Sequence, residues 1–124
     1  MTEATTFGSQ LLAEKWDNKD VDGFLSFFAD NAVWCVNTSP PVQGKEGLKG
    51  LTEGLMAMSL SSKHFELVGY ETPQGTYIVR GKVAYTLQGK DEPVVCTFCD
   101  ILERNVNGKV AKCWTFMDVS PLSG

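Results

Sequence analysis

Residues 63–118 run KHFELVGYETPQGTYIVRGKVAYTLQGKDEPVVCTFCDILERNVNGKVAKCWTFMD. Apolar residues in this stretch recur with a period of two, and clusters of turn formers interrupt it at regular intervals. Thr72-Pro73-Gln74-Gly75, Gln88-Gly89-Lys90-Asp91-Glu92 and Asn105-Val106-Asn107-Gly108 are the turns. They bound strands expected at Lys63–Tyr70, Thr76–Leu87, Val94–Glu103 and Lys109–Asp118, with Pro121 ending the ordered core. Short connections between consecutive strands make an antiparallel meander.

Upstream the period changes to that of a helix. Between Phe7 and Lys19, Leu11, Leu12 and Trp16 fall on one stripe. Asp20 is placed to cap a second, shorter helix, in which Val21, Phe24, Leu25 and Phe28 make one face. Ala32–Val36 reads as a short strand, followed by a loop at Asn37–Pro41. Gly44 precedes a third helix expected over about Lys45–Met58, with the stripe Leu48, Leu51, Leu55 and Met58. Helices segregated from an antiparallel sheet define an α+β domain. Long antiparallel strands twist and curl, so three helices on the concave side would leave a cone with an internal pocket.

The chain of 124 residues suits a single domain over its whole length. Its apolar runs are too short to span a membrane, and Met1–Thr6 lacks the basic and apolar regions of a signal peptide, so a cytoplasmic location is expected. The net charge is −4 and the lysines and arginines are scattered, which argues against nucleic acid or an anionic membrane as partner. Of the four cysteines, Cys96 and Cys99 form a C-x-x-C, but positions three apart on a strand face opposite ways and do not make one chelating pair. Cys35, Cys96, Cys99 and Cys113 read as reduced thiols, and with no metal or nucleotide motif no cofactor is expected.

Three stretches carry a family resemblance. They are Asn18–Phe24 with Phe28–Trp34, Val42–Leu48, and Asp100–Arg104 with Gly108–Val110 and Asp118–Leu122. On them the chain, from about Phe7 to Leu122, resembles the nuclear transport factor 2-like superfamily, nearest its SnoaL-like polyketide cyclases and ketosteroid isomerases. That group contains both enzymes and binding domains, so the fold does not fix the function. The resemblance puts Asp100 at the protonated aspartic acid of the isomerase oxyanion hole, a case that also serves as a standard illustration of a carboxyl kept neutral by apolar surroundings. It puts Leu12 where the isomerase has a tyrosine, and Val36, beside Asn37, where it has its general base. Steroid isomerisation is therefore not expected. Limonene epoxide hydrolases carry an Asp-Arg-Asp set. Here Thr115 falls on the terminal aspartate, and Arg80 lies near the arginine without its paired aspartate. Scytalone dehydratases need two histidines, and this chain has one.

Four residues are candidate catalytic groups. His64, the sole histidine, begins a strand and is a candidate acid or base. Its alternation puts it on a face with Glu66, the partner it would have as a mere rim residue. Asp100 interrupts a largely apolar strand, either facing the pocket or ordering the sheet. Asp118 ends the last strand, and faces outward if Thr115 and Met117 face in. Tyr85 shares a face with Val79, Gly81 and Val83 and points inward, as donor or as core. Trp16, Trp34, Leu55, Phe98 and Met117 are the candidate ligand-binding side chains. The strand Val94–Glu103 is apolar on both faces, and relatives dimerise through this side of the sheet, so a homodimer is expected. The sequence reading points to a cofactor-independent enzyme performing proton transfer on a small hydrophobic carbonyl compound. The alternative is a non-catalytic ligand-binding or protein-interaction module.

Overall fold

A computed structural model describes the backbone of residues 2–4 and 11–123, with side chains from residue 11 onward. Helix α1 covers Leu11–Asp17; the part of the expected helix before Leu11 lies outside the described residues. Asp20 caps α2 (Val21–Leu25), its carboxylate accepting from the Gly23 amide at 2.9 Å. A Cβ at Gly23 would stand 2.2 Å from Asp20 Oδ2, so the cap needs glycine there. Helix α3 runs Lys45–Met56 and buries Leu48, Thr52 and Met56. It stops short of Met58, which leaves the expected stripe and is 67% exposed.

The strands are β1 Thr2–Ala4, β2 Phe28–Val36, β3 Val42–Gln43, β4 Ser61–Glu71, β5 Thr76–Thr86, β6 Val94–Arg104 and β7 Val110–Met117. They form one sheet in the order β1-β4-β5-β6-β7-β2-β3. The expected meander is β4 to β7, each strand antiparallel to the next. The wholly antiparallel reading is corrected at one place: β2 runs parallel to β7. Long connections permit either direction, and the alternation within a strand carries no sign of which neighbour it takes. Strand β2 also begins earlier than expected, at Phe28, because a register irregularity between Phe28 and Val33 lets the pairing with β7 continue upstream. The helices cover one face of this curved sheet.

A second irregularity decides which side chains face the helices. On β4, Phe65 pairs with Lys82 and Val68 with Arg80, so Glu66 and Leu67 together oppose Gly81. Glu66 takes φ +53°, a left-handed conformation unusual for a side chain of its size. This bulge resets the alternation: His64 and Leu67 face inward, while Glu66 turns out to pair with Lys82 at 2.8 Å. Gly81 makes room for it, since a Cβ there would lie 2.6 Å from Leu67 Cδ2 and 3.3 Å from the Phe65 carbonyl oxygen. The inner face then packs Val79, Val83, Cys96, Leu102, Val110 and Cys113 against Leu12, Phe24, Trp34 and Leu48. Replacing Gly81 by valine is expected to lower stability by about 1–3 kcal/mol, as overpacking does, measured by urea denaturation. An unchanged midpoint would show that the bulge does not depend on the glycine.

Candidate active site

Between helices and sheet lies a cavity of about 300 Å³. One end is aromatic. The Trp16 ring stands edge-on to Phe24 at 5.1 Å and to Trp34 at 6.1 Å, and Phe24 lies tilted against Phe28 at 5.2 Å. Trp16, Trp34, Leu55, Phe98 and Met117, the side chains expected to bind ligand, all line the wall. Trp34 is also part of the buried core, so it packs and lines at once.

His64 enters the cavity from the start of β4 and is fixed by a residue the sequence reading passed over. Asp17, the last residue of α1, meets His64 Nδ1 at 2.6 Å and also accepts from the His64 amide and the Ser62 hydroxyl, each at 2.8 Å. Burial acts to raise the Asp17 carboxyl, but the hydrogen bonds and charge of His64, with help from Ser62, outweigh it and hold its pKa below the ordinary value. In the neutral ring, an ionised Asp17 makes Nδ1 the donor and leaves Nε2 as the acceptor nitrogen. The His64 ring stands edge-on to Phe98 at 5.4 Å. The signal available was small: Asp17 follows Trp16 at the end of a helix whose stripe faces inward.

Asp100 projects from β6 into the same cavity. Burial pushes its pKa up to about 6, against the opposing pull of a hydrogen bond from Thr115 and the charge of His64. Thr115 stands directly across the β6–β7 ladder. Its hydroxyl also accepts from the Trp34 indole at 2.9 Å and lies 3.9 Å from the Cys113 sulfur. Asp100 Oδ1 is buried with no hydrogen-bond partner. A buried polar atom in that state costs free energy, more when the group is ionised, until a ligand completes it.

Tyr85 faces inward from β5, its hydroxyl donating to Met117 Sδ at 3.6 Å. Burial, followed by the nearby Cys96, Asp100 and Asp17, pushes its pKa up to about 12, so the hydroxyl keeps its proton at neutral pH. Leu12, Val36 and Asn37 line the cavity where the isomerase resemblance would have put a tyrosine and a base. Asn37 Oδ1 accepts from the Met117 amide at 2.8 Å. Arg80 is exposed, with Nη2 at 3.5 Å from the Tyr70 hydroxyl.

Asp118 must be corrected. It is exposed, does not line the cavity, and accepts from the Ser120 amide at 3.0 Å, capping the C-terminal 3₁₀ turn Ser120–Ser123. Alternation is the reason: Cys113, Thr115 and Met117 face inward on β7, and no bulge intervenes before Asp118. Cys96 and Cys99 occupy opposite faces of β6, and no group of side chains among the described residues is placed to hold a metal.

A carboxyl whose pKa is raised on folding binds a proton that the unfolded chain has released, so stability falls as pH rises between the two values. For Asp100 that window runs from about 4 to about 6. Asp100→Asn is therefore expected to be more stable than the parent at pH 7, by up to about 3 kcal/mol for a shift of two units, and to lose this advantage at pH 4. Urea unfolding of both proteins at the two pH values measures it. A pH-independent difference would contradict the raised pKa.

No curated protein sequence matches the chain. Solved structures do. A Catenulispora acidiphila protein with a ketosteroid isomerase-like fold, crystallised with trimethylamine, has a TM-score of 0.81 at 13% identity, covering 95% of this chain and 90% of that one. A candidate polyketide cyclase from Xanthomonas campestris gives 0.75 at 16% identity, covering 91% and 89%. ActVI-ORFA from Streptomyces coelicolor gives 0.61 at 16%, covering 86% and 89%. At such identities the likeness is one of fold. The SnoaL-like domain profile matches residues 10–113, most of the chain, and the protein belongs to the SnoaL-like family.

Proposed function

We propose that the cavity catalyses cofactor-independent proton transfer on a small hydrophobic carbonyl compound, leading to isomerisation, cyclisation or dehydration. One observation carries this reading: a histidine oriented by a carboxylate and an incompletely bonded, buried carboxyl share one apolar cavity. His64 Nε2 would take a proton from the carbon beside the carbonyl. The C–H electron pair becomes the enolate π bond, and the carbonyl π electrons move onto oxygen. The neutral Asp100 hydroxyl donates to that oxygen as its charge grows. Asp17 stabilises the imidazolium that forms and keeps the ring in place. The enolate then takes the proton back at another carbon, attacks a second carbonyl, or expels a β-hydroxyl as water with the proton His64 carries. Tyr85, which stays protonated, is the second donor within the cavity.

Exchange of the α-hydrogens of 2-tetralone in heavy water, followed by proton NMR, tests the step without knowledge of the natural substrate. The protein is expected to accelerate exchange above buffer. His64→Ala should lower the rate by about 10²–10⁴-fold and Asp100→Asn by about 10²–10³-fold, whereas Asp118→Ala should leave it unchanged. Because Asp100 must be neutral, kcat/KM should fall with rising pH above about 6, and this limb should vanish in Asp100→Asn. No exchange above buffer, or full exchange in both site variants, would overturn the mechanism and favour a ligand-binding module.

We also propose a homodimer through the outer face of the sheet. There Val95 is 44% and Phe116 48% exposed, with Cys99, Ile101 and Trp114 half-buried beside them. An apolar patch on the two central strands gains by covering itself with a second copy. Light scattering at micromolar concentration should give twice the chain mass, and a monodisperse monomer would refute it.

A further inference from the structure

We infer that Trp34 is a positioning residue for Asp100: its indole N–H fixes the Thr115 hydroxyl so that the one hydrogen of that hydroxyl is given to Asp100, and the carboxyl is presented to the cavity with Oδ1 free. The role of Asp100 as the acid of the cavity rests on the proton-transfer reading; the relay that holds it rests on the wall of β2, β6 and β7 alone.

The direction of the relay follows from what each group can do. An indole N–H donates and never accepts. At 2.9 Å from Thr115 Oγ1 it occupies a lone pair of the hydroxyl. The hydroxyl keeps one hydrogen, and two acceptors compete for it. One is the Cys113 sulfur at 3.9 Å, a weak acceptor that can itself donate to the second lone pair of Oγ1. The other is Asp100, directly opposite Thr115 on the antiparallel β6–β7 ladder, where side chains stand about 5 Å apart at Cβ. A carboxyl oxygen is the stronger acceptor, so the hydrogen goes there. Because Oδ1 has no partner, the bonded oxygen is Oδ2. In the neutral carboxyl the oxygen that accepts is the carbonyl one, which leaves the acid proton to Oδ1.

Packing alone does not call for an indole at position 34. The ring is 4% exposed and lies against Trp16, Phe24 and Phe28 at centroid distances of 5.8–6.1 Å, a setting that phenylalanine would also suit. Tryptophan adds a buried N–H that must find an acceptor, and the three rings fix where that N–H points. The titratable groups around Asp100 do not duplicate the relay. His64 faces it from β4, with Asp17 of α1 behind the ring, Tyr85 faces it from β5 and Cys113 from β7, while Cys99 of its own strand turns to the outer face. The two helices α2 and α3 bring only Phe24 and Leu55 to the cavity. Burial keeps Tyr85, Cys99 and Cys113 protonated through neutral pH. A hydroxyl that donates to Asp100 favours its charged form and so offsets part of what burial does.

Titration of the Asp100 carboxyl by carbon-13 NMR, in ligand-free variants of the full chain, tests the relay apart from any turnover. Thr115→Val removes the donor and keeps the shape, and should raise the Asp100 titration by about one to two units, the loss of one hydrogen bond to a charged group. Trp34→Phe keeps a ring and frees the hydroxyl to turn, and should raise it by about half as much. Thr115→Ser should titrate like the parent. The double variant Trp34→Phe/Thr115→Val should match Thr115→Val, because the indole acts only through the hydroxyl. A titration unmoved by Trp34→Phe, or a double variant whose shift is the sum of the two, would overturn the inference. Where Trp34→Phe folds poorly, equal titration in Thr115→Ser and Thr115→Val would overturn it as well. In 2-tetralone exchange the fall of kcat/KM with pH should move to higher pH in step with the carboxyl, a change that lost packing alone would not produce. These titration shifts in a protein that fails to exchange 2-tetralone would remove the catalytic reading and leave the relay standing.

Discussion

A carboxyl group withdrawn from water without a full set of hydrogen bonds is the constraint around which this protein is arranged. Asp100 sits on the inward face of β6, with the buried Phe98 before it and Leu102 after it on the same strand, and with Val79 and Thr115 opposite it on the flanking strands. Nothing in packing alone recommends an acid at that place. The surroundings temper the cost but do not remove it: Thr115 across the ladder offers a hydroxyl, the Trp34 indole holds that hydroxyl in turn, and Oδ1 is left over. The cheapest resolution near neutral pH is a shared population of neutral and ionised forms, with a ligand oxygen completing the neutral one. Departures from good packing of this kind concentrate at functional sites.

The second acid of the site has the opposite fate. Asp17 comes from a helix and is surrounded by donors, so it stays ionised and serves to orient His64. One carboxyl on the cavity wall is pushed toward neutrality, and one behind His64 is held charged, the division of roles that the proposed proton transfer calls for. The bulge at Glu66 keeps a third acid off the cavity wall. Without it strict alternation would set His64 and Glu66 on one face, and the histidine would have an exposed carboxylate as its neighbour. Gly81 is the small residue that admits the bulge.

Much of this was legible in the sequence. Period-two alternation and turns at Gly75, Gly89 and Gly108, each with positive φ, mark the meander. The same alternation places Asp100 and Tyr85 inward and turns Asp118 out. Asp100, the one acid within the otherwise largely apolar Val94–Leu102, stood out. Other features left no local trace. The parallel pairing of β2 with β7 joins segments about eighty residues apart, and either direction suits an apolar strand. The bulge depends on a non-glycine residue in a left-handed conformation opposite Gly81, which no pattern in β4 announces. Asp17 looks like any polar helix end until tertiary packing brings β4 alongside α1.

Carbon-13 NMR of selectively labelled aspartate, titrated from pH 3 to 9 and assigned with Asp100→Asn, reads directly whether Asp100 is poised between its neutral and ionised forms near neutral pH. The Asp100 carboxyl is expected to titrate near 6 and to move higher when a phenol occupies the cavity. Titration near 3.8, the ordinary aspartate value, unmoved by ligand, would contradict it.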